Sequence, residues 1–148
     1  MRADTALIFK KLTGLYNEKK SLFVQIADHC RFQSSLLNSE DFSAISDSIN
    51  ENTHLISVID SIDYEISAAL DKLLHITGMD KKTLETFLAE NNENETRALQ
   101  ERKNECTAAL KTASVLFNDF LDAAQTKAKG YTADIQELER IIRVKEFL

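Results

Sequence analysis

The sequence contains no proline and only three glycines. These are the two residue types that most often interrupt helices and shape the turns between strands. No run of about 18 apolar residues occurs either, so no segment is predicted to span a membrane. Hydrophobic residues nevertheless make up 43% of the 148 positions, a proportion typical of a globular chain rather than a disordered one. We therefore expect one all-α domain over residues 1–148.

Basic charge is also scarce, with 18 basic against 24 acidic residues and a net charge of −6. A nucleic-acid binder needs a basic face to neutralise phosphates, and a polybasic membrane-surface protein needs a similar patch. The most basic short stretch holds Arg140, Arg143 and Lys145, but Glu139 and Glu146 flank it. We therefore expect neither nucleic acid nor a membrane as a partner.

The first residues lack the pattern of a signal peptide, because Asp4 and the following lysines interrupt the apolar stretch that such a peptide needs. This favours a cytoplasmic protein. Cys30 and Cys106 lie in helical patterns without a Cys-x-x-Cys motif, so zinc has no ligand set. We expect buried free thiols, and a disulfide only if the two helices are adjacent.

Catalytic patterns are equally sparse. His29 precedes Cys30, but neighbouring residues on a helix point about 100° apart, so the two do not form a nucleophile–base pair through adjacency alone. Glu51 and His54 have the Glu-x-x-His spacing of di-iron carboxylate bundles, which need two such motifs and two further glutamates. The chain has one motif, so a metal bundle would need a second copy. We predict a non-enzymatic protein with no catalytic, cofactor-binding or metal site.

A first helix is predicted from near Asp4 to Leu37, because its apolar residues recur in steps of three and four. These apolar residues form a seam along one face of the helix, and Lys19 is a polar position in it. Gly14 is not expected to end a helix of this length. The seam comprises Ile8, Leu12, Leu15, Leu22, Ile26, His29 and Leu36, and it is widened by Tyr16, Phe23, Ala27, Cys30 and Leu37.

A second helix follows a polar corner, where Asn38 or Ser39 is expected to cap it. Its seam comprises Phe42, Ile45, Ile49, Ile56, Ile59, Ile66, Leu70 and Leu73. Asn52 and Asp63 occupy the two remaining seam positions. They either set the helix register or lie at a wet, partly open part of the bundle.

Gly78 suits a helix C-terminus and Asp80 suits an N-cap, so a short helix is predicted over residues 80–90. Its apolar residues are Leu84, Phe87 and Leu88. A long helix over residues 95–148 follows, and Gly130 and Thr132 mark either a kink or a break in it. The seam of that helix comprises Leu99, Cys106, Leu110, Ala113, Phe117, Phe120 and Ala124.

The predicted fold is an elongated, coiled-coil-like antiparallel bundle of three long helices and one short helix, in which residues 1–76 form an N-terminal hairpin. Three long helices enclose the core of a bundle less completely than four helices do. The remaining apolar surface is left as an open groove, covered by a fourth helix from the C-terminal segment, or covered by a second copy in a homodimer.

A stripe of apolar residues occupies the last fourteen positions. This C-terminal stripe comprises Ile135, Leu138, Ile141, Ile142, Val144, Phe147 and Leu148. So much apolar surface at a chain end is expected to be covered. It either packs on the chain's own bundle or binds an amphipathic helix of a protein client by helix-in-groove packing, and it can exchange one contact for the other.

The first two helices resemble the FlgN family of flagellar export chaperones over roughly residues 7–75. The segments that carry the resemblance are Leu12-Thr-Gly-Leu15-Tyr-Asn-Glu18, Leu36-Leu37-Asn-Ser-Glu-Asp-Phe42 and Ile49-Asn-Glu51-Asn-Thr-His-Leu55-Ile56. The resemblance implies a cytoplasmic chaperone that keeps hook–filament junction proteins soluble and prevents their premature assembly. It also implies a client-binding surface in the C-terminal helical region, which here corresponds to the C-terminal stripe. A structural coiled-coil or adaptor protein that acts by homo-oligomerisation is the alternative.

Overall fold

The computed structural model describes residues 3–91, 93–128 and 142–145 of the chain. Within these ranges it forms four helices, α1 (Ala3–Ser39), α2 (Phe42–Thr77), α3 (Lys81–Glu90) and α4 (Asn94–Ala128), and no strand. Residues 142–145 are also helical. The three long helices pack in an antiparallel arrangement, so the predicted all-α bundle with one short helix is confirmed.

The observed helix ends lie close to the predicted ones. Gly14 lies within α1, and α1 extends two residues past Leu37 to Ser39. The predicted C-terminal helix begins at Asn94 as α4, which is described as far as Ala128. The predicted kink or break at Gly130 and Thr132 lies outside the described residues.

The corner between α1 and α2 differs from its predicted capping. Glu40 has a φ of 59°, which is the left-handed conformation that usually favours glycine. The amide of Glu40 donates to the carbonyl of Leu37, and the amide of Asp41 donates to that of Leu36. These two bonds form a Schellman motif that closes α1. The carboxylate of Asp41 then accepts from the amide of Ala44 at 3.1 Å, so Asp41 caps α2 and the predicted role of Asn38 or Ser39 is wrong.

The corner between α2 and α3 follows its sequence signals. Gly78 has a φ of 68°, and its amide donates to the carbonyl of Leu74 at 2.9 Å. Asp80 accepts a hydrogen bond from the amide of Thr83 at 2.7 Å and so caps α3 as predicted. The hydrogen bond from Thr83 also holds the pKa of the Asp80 carboxyl below its ordinary value of 3.8.

The core is built from most of the predicted seam residues. Its largest fully buried apolar side chains include eight predicted residues, namely Phe117, Phe120, Leu12, Ile26, Ile45, Ile49, Leu73 and Leu99. Phe9 is also fully buried and was not predicted. On α1 the buried stripe includes Phe23 and Leu37, while the predicted seam residues Leu22 and Leu36 lie half-buried at its edge. A straight helix with 3.6 residues per turn drifts by about 20° per heptad relative to a 3.5-residue repeat, which explains the one-residue displacement.

The chain divides into two compact units. Unit 1 comprises Met1–Ser21 and Ile59–Ala108, and unit 2 comprises Leu22–Val58 and Ala109–Leu148. Each long helix contributes residues to both units. This division does not test the expectation of one domain, which stays a prediction.

Candidate protein-interaction surface

Ion pairs join the three long helices within unit 1. The ammonium of Lys19 lies 2.6 Å from the carboxylate of Asp63, and that of Lys20 lies 3.0 Å from the carboxylate of Glu105. The hydrogen bond from Lys20, assisted by the charge of Arg102, holds the pKa of Glu105 below its ordinary value. The Asp63 side chain remains 46% exposed. Asp63 is therefore an ion-paired edge residue of the seam.

An apolar groove runs along unit 1 between the first turns of α1 and those of α4. We call it the α1–α4 groove. It has a volume of about 600 Å3 and is lined by Ala3, Ala6, Leu7, Lys10, Thr13, Asn94, Glu95 and Ala98. Leu7 is 68% exposed beside this groove, although leucine is among the residue types most often buried. The groove therefore presents apolar surface that the described residues do not cover.

The groove stays open because the side chains between its two helices are small. Three of the lining residues, Ala3, Ala6 and Ala98, carry a single methyl group and cannot fill the space between two helix backbones. Lys10 and Glu95 place one charge of each sign beside it. An apolar trough of this kind fits the apolar face of an amphipathic helix, which also finds both charges for its polar face.

Gly14 extends the exposed face of α1 beyond Leu7 by two helical turns. A methyl group built at Gly14 would have no atom within 4 Å outside the helix's own backbone, so packing within the chain does not require glycine there. An exposed glycine in a helix is less favourable than alanine by roughly 0.5–1 kcal/mol.

Unit 2 contains a part-buried polar contact between α1 and α2. Asn52 is completely buried, and its Oδ1 lies 2.8 Å from Nδ1 of His29. An amide oxygen only accepts, so Nδ1 of His29 carries the proton. Nε2 of the same ring lies 3.5 Å from the carboxylate of Glu51. Asn52 is thus a buried polar residue of the kind that sets helix register.

Two more buried polar residues lie one helical turn from this contact. Gln33 follows His29 by four residues, and Ser48 precedes Asn52 by four residues. Because α1 and α2 are antiparallel, both lie in the same direction from the His29–Asn52 hydrogen bond. The side-chain polar atoms of Gln33, the hydroxyl of Ser48 and Nδ2 of Asn52 have no hydrogen-bond partner among the described residues. We call these four residues, His29, Gln33, Ser48 and Asn52, the polar layer.

The cysteines are buried free thiols, as predicted. Burial raises the pKa of Cys30 to about 12, with a small opposing effect from Arg31. Burial also raises the pKa of Cys106. Both thiols are therefore protonated at neutral pH, which makes them poor nucleophiles and poor metal ligands.

The Glu51-x-x-His54 spacing does not produce an interior metal site within the described part of the chain. The carboxylate of Glu51 faces His29 rather than His54, and both Glu51 and His54 are exposed. No group of three or more histidine, cysteine, aspartate or glutamate side chains with metal-binding geometry occurs among the described residues. Carboxylate sites in bundles need such a group in the interior.

Only two residues of the C-terminal stripe are described. Val144 is 3% exposed and Ile142 is 38% exposed. The other five residues, Ile135, Leu138, Ile141, Phe147 and Leu148, lie outside the described residues. Packing on the chain's own bundle and binding of a client both stay predictions for this stripe.

Sequence reasoning missed Leu7 and Gln33. The signal for Leu7 was a large apolar residue beside the predicted seam rather than in it. The signal for Gln33 was a polar residue that lies seven positions after Ile26, in the middle of the seam.

In the described ranges no helix is both long enough and apolar enough to cross a membrane. A scan against protein-family models, a search of curated proteins and a search of solved structures found no match to this chain. Its function is therefore inferred from its own residues.

Proposed function

We propose that this protein is a non-enzymatic export chaperone that binds an amphipathic helix of a protein client. The α1–α4 groove carries the proposal, because it is apolar, open and bordered by the exposed side chain of Leu7. A client helix that buries its apolar face there cannot use that face for premature assembly. The net charge of −6 helps to keep such a complex soluble.

The proposed clients are the hook–filament junction proteins of the bacterial flagellum. This part of the proposal rests on the resemblance of residues 7–75 to the FlgN family, and it includes a cytoplasmic location. The resemblance also assigns client binding to the C-terminal stripe. The chain thus has two candidate surfaces, the α1–α4 groove and the C-terminal stripe.

Co-purification separates the two surfaces. The full chain is co-expressed with the hook–filament junction proteins of the same genome, and complexes are measured by size-exclusion chromatography with light scattering. Leu7→Glu places a carboxylate against the groove near Glu95. We expect it to weaken the complex at least tenfold, because the client helix would have to bury that charge.

Tyr64→Ser is the matched control. Tyr64 belongs to the same unit and is 79% exposed, but it lies on α2 and does not line the groove. This variant should bind clients like the native chain. A complex that survives Leu7→Glu but is lost on truncation after Gly130 would move client binding to the C-terminal stripe. A native chain that forms no complex with any of these proteins would overturn the chaperone proposal.

A structural adaptor that acts through homo-oligomerisation is the second candidate. Exposed apolar side chains in unit 2, namely Val24, Phe32 and Val115, favour it, because a second copy could cover them. Light scattering of the protein alone tests this candidate. A stable dimer that Phe32→Ser converts to a monomer would support it, and a monomeric native chain would exclude it.

A further inference from the structure

The short helix α3 lies within unit 1 and buries only a narrow apolar face there. It has ten residues, of which Leu84 and Leu88 are buried and Phe87 is half-buried. The other seven are exposed. An isolated helix shorter than about 12–15 residues is marginal in water, so α3 depends on this narrow apolar face for its stability.

All hydrogen bonds of α3 among the described residues stay within the segment itself. The amide of Leu84 donates to the carbonyl of Asp80, and the amide of Asn91 donates to that of Phe87. The side-chain bonds of the segment run from Thr83 to Asp80 and from Thr86 to Lys82. No described hydrogen bond or ion pair joins residues 81–90 to α1, α2 or α4. Among the described residues, α3 is therefore held against the long helices by apolar contact.

That apolar contact is incomplete, because a cleft lies on each side of α3. One has a volume of about 290 Å3, and its apolar lining includes Leu70 and Leu74 of α2 opposite Leu84 and Leu88. The other has a volume of about 210 Å3 and is lined by residues that include Phe9 and Phe87. Both clefts are open to solvent, and charged side chains that include Lys81 and Glu85 also line the first one. Thus α3 occupies a groove that it does not fill.

The connections of α3 allow it to leave without breaking the neighbouring helices. Gly78 closes α2 through its own bond to Leu74, and α4 begins with a bond from the amide of Arg97 to the carbonyl of Glu93. Non-helical residues therefore separate α3 from both neighbours. Undocking α3 needs rotation in these connections and leaves the hydrogen bonds of α2 and α4 intact.

We propose that α3 is a displaceable occupant of a second client-binding groove, defined by Phe9, Leu70 and Leu74, and that a client helix replaces it there. This inference rests on the proposed chaperone function. The occupant is an amphipathic helix with large apolar side chains spaced like Leu84, Phe87 and Leu88, because α3 itself shows which spacing the groove accepts. A helix with the same spacing and larger apolar side chains can fill the clefts on the two sides of α3, so it competes effectively with α3.

A peptide made from the chain's own sequence tests the inference without any client. The probe is a fluorescein-labelled peptide of residues 80–91, added to the full chain that carries Leu84→Ser and Leu88→Ser. In the native chain the tethered α3 competes at an effective concentration in the millimolar range. We expect the peptide to bind the double variant at least tenfold more tightly than the native chain, as measured by fluorescence anisotropy.

Matched controls isolate the apolar face of α3. Thr86→Ala with Ala89→Ser changes two exposed residues of the same helix, so this variant should bind the peptide as weakly as the native chain does. A peptide in which serine replaces Leu84 and Leu88 should not bind the double variant. Equal binding to the double variant and the native chain, or no binding to a double variant that circular dichroism shows to be helical, would overturn the inference.

Hydrogen exchange of the native chain gives a second test if the double variant does not fold. The amides of α3 should exchange faster than those around Leu73, because α3 can undock in a local opening that leaves α2 intact. Equal protection in α3 and α2 would refute the displacement. Since neither test uses a client, a negative result here leaves the Leu7→Glu test of the proposed function unaffected.

Discussion

Units 1 and 2 use the same three long helices but differ in how their apolar surface is used. Unit 1 leaves apolar surface open, in the α1–α4 groove and in the clefts beside α3. Unit 2 exposes single apolar side chains, namely Val24, Phe32 and Val115, and it contains a cluster of polar residues, the polar layer around His29 and Asn52. Its core also contains the edge-to-face pair of Phe117 and Phe120, whose ring centroids lie 6.3 Å apart.

The difference suggests a division of labour. Open apolar clefts suit reversible binding of a helix, because a ligand adds the contacts that the fold lacks. A buried polar layer suits a fixed helix register, because a shift of the helices would separate the hydrogen-bonded pair. We therefore expect substitutions in unit 1 to change binding more than stability and substitutions in unit 2 to change stability more than binding.

The largest effect on stability is expected at the aromatic pair of unit 2. Phe117→Ala should lower the free energy of unfolding by about 3–5 kcal/mol, because it removes a buried ring and leaves a cavity. Leu84→Ala on α3 should fall near the lower end of the range for buried leucine, about 2 kcal/mol, because α3 can undock. Urea denaturation measures both. Phe32→Ala, at an exposed phenylalanine of unit 2, should change stability by no more than about 0.5 kcal/mol.

Removing a buried polar group without a partner should stabilise unit 2. Gln33→Met keeps the size of the side chain but removes an amide that has no partner among the described residues, and an orphaned buried group costs about 1–3 kcal/mol. We expect a higher midpoint of urea unfolding. Thr96→Val is the corresponding change in unit 1, where the buried hydroxyl has no partner in the described ranges. A Gln33→Met variant that is less stable than the native protein would show that buried water satisfies the amide.

The two described glycines of unit 1 should respond to alanine in opposite directions. Gly14→Ala should raise stability by up to about 1 kcal/mol, because the site is exposed and has space for a methyl group. Gly78→Ala should lower it by about 1–2 kcal/mol, because Gly78 has a φ of 68°. Thermal unfolding measures both changes. A Gly14→Ala variant that gains stability but loses client binding would place a partner helix against this face of α1.

The smallest effect concerns the pH dependence of α3. The hydrogen bond from Thr83 lowers the pKa of Asp80 in the folded state below its ordinary value of 3.8. The unfolded chain therefore takes up the proton first as the pH falls, so the stabilising contribution is complete above the ordinary value and is lost through the lower, folded pKa. The protection factors of the α3 amides, which compare each exchange rate with that of an unfolded chain at the same pH, should fall over that acidic range. Asp80→Asn keeps a neutral cap, so the protection factors of its α3 amides should not fall in this acid-dependent way.

Local signals were sufficient to predict the positions of the helices. Gly78 and Asp80 ended α2 and began α3 as predicted, because a left-handed residue and an N-cap act through bonds to their immediate neighbours. The α1–α2 corner was predicted less well. A glutamate, Glu40, adopts the left-handed conformation there, and sequence gives no strong indication of that choice. The ammonium of Lys127 from α4 lies 3.5 Å from the Glu40 carboxylate and 2.6 Å from the carbonyl of Leu37, so a distant helix supports this corner.

The sequence by itself thus determined the all-α class, the three long helices, the short helix and most of the core, because helix periodicity and capping are encoded over a few residues. Only the tertiary structure decided between the alternatives for the polar seam residues, with Asn52 buried against His29 and Asp63 paired with Lys19 at the edge. The α1–α4 groove and the clefts beside α3 also depend on how the helices pack. Whether facing side chains fill the space between two helices depends on residues that are distant in sequence. A local sequence pattern therefore does not predict the groove or the clefts.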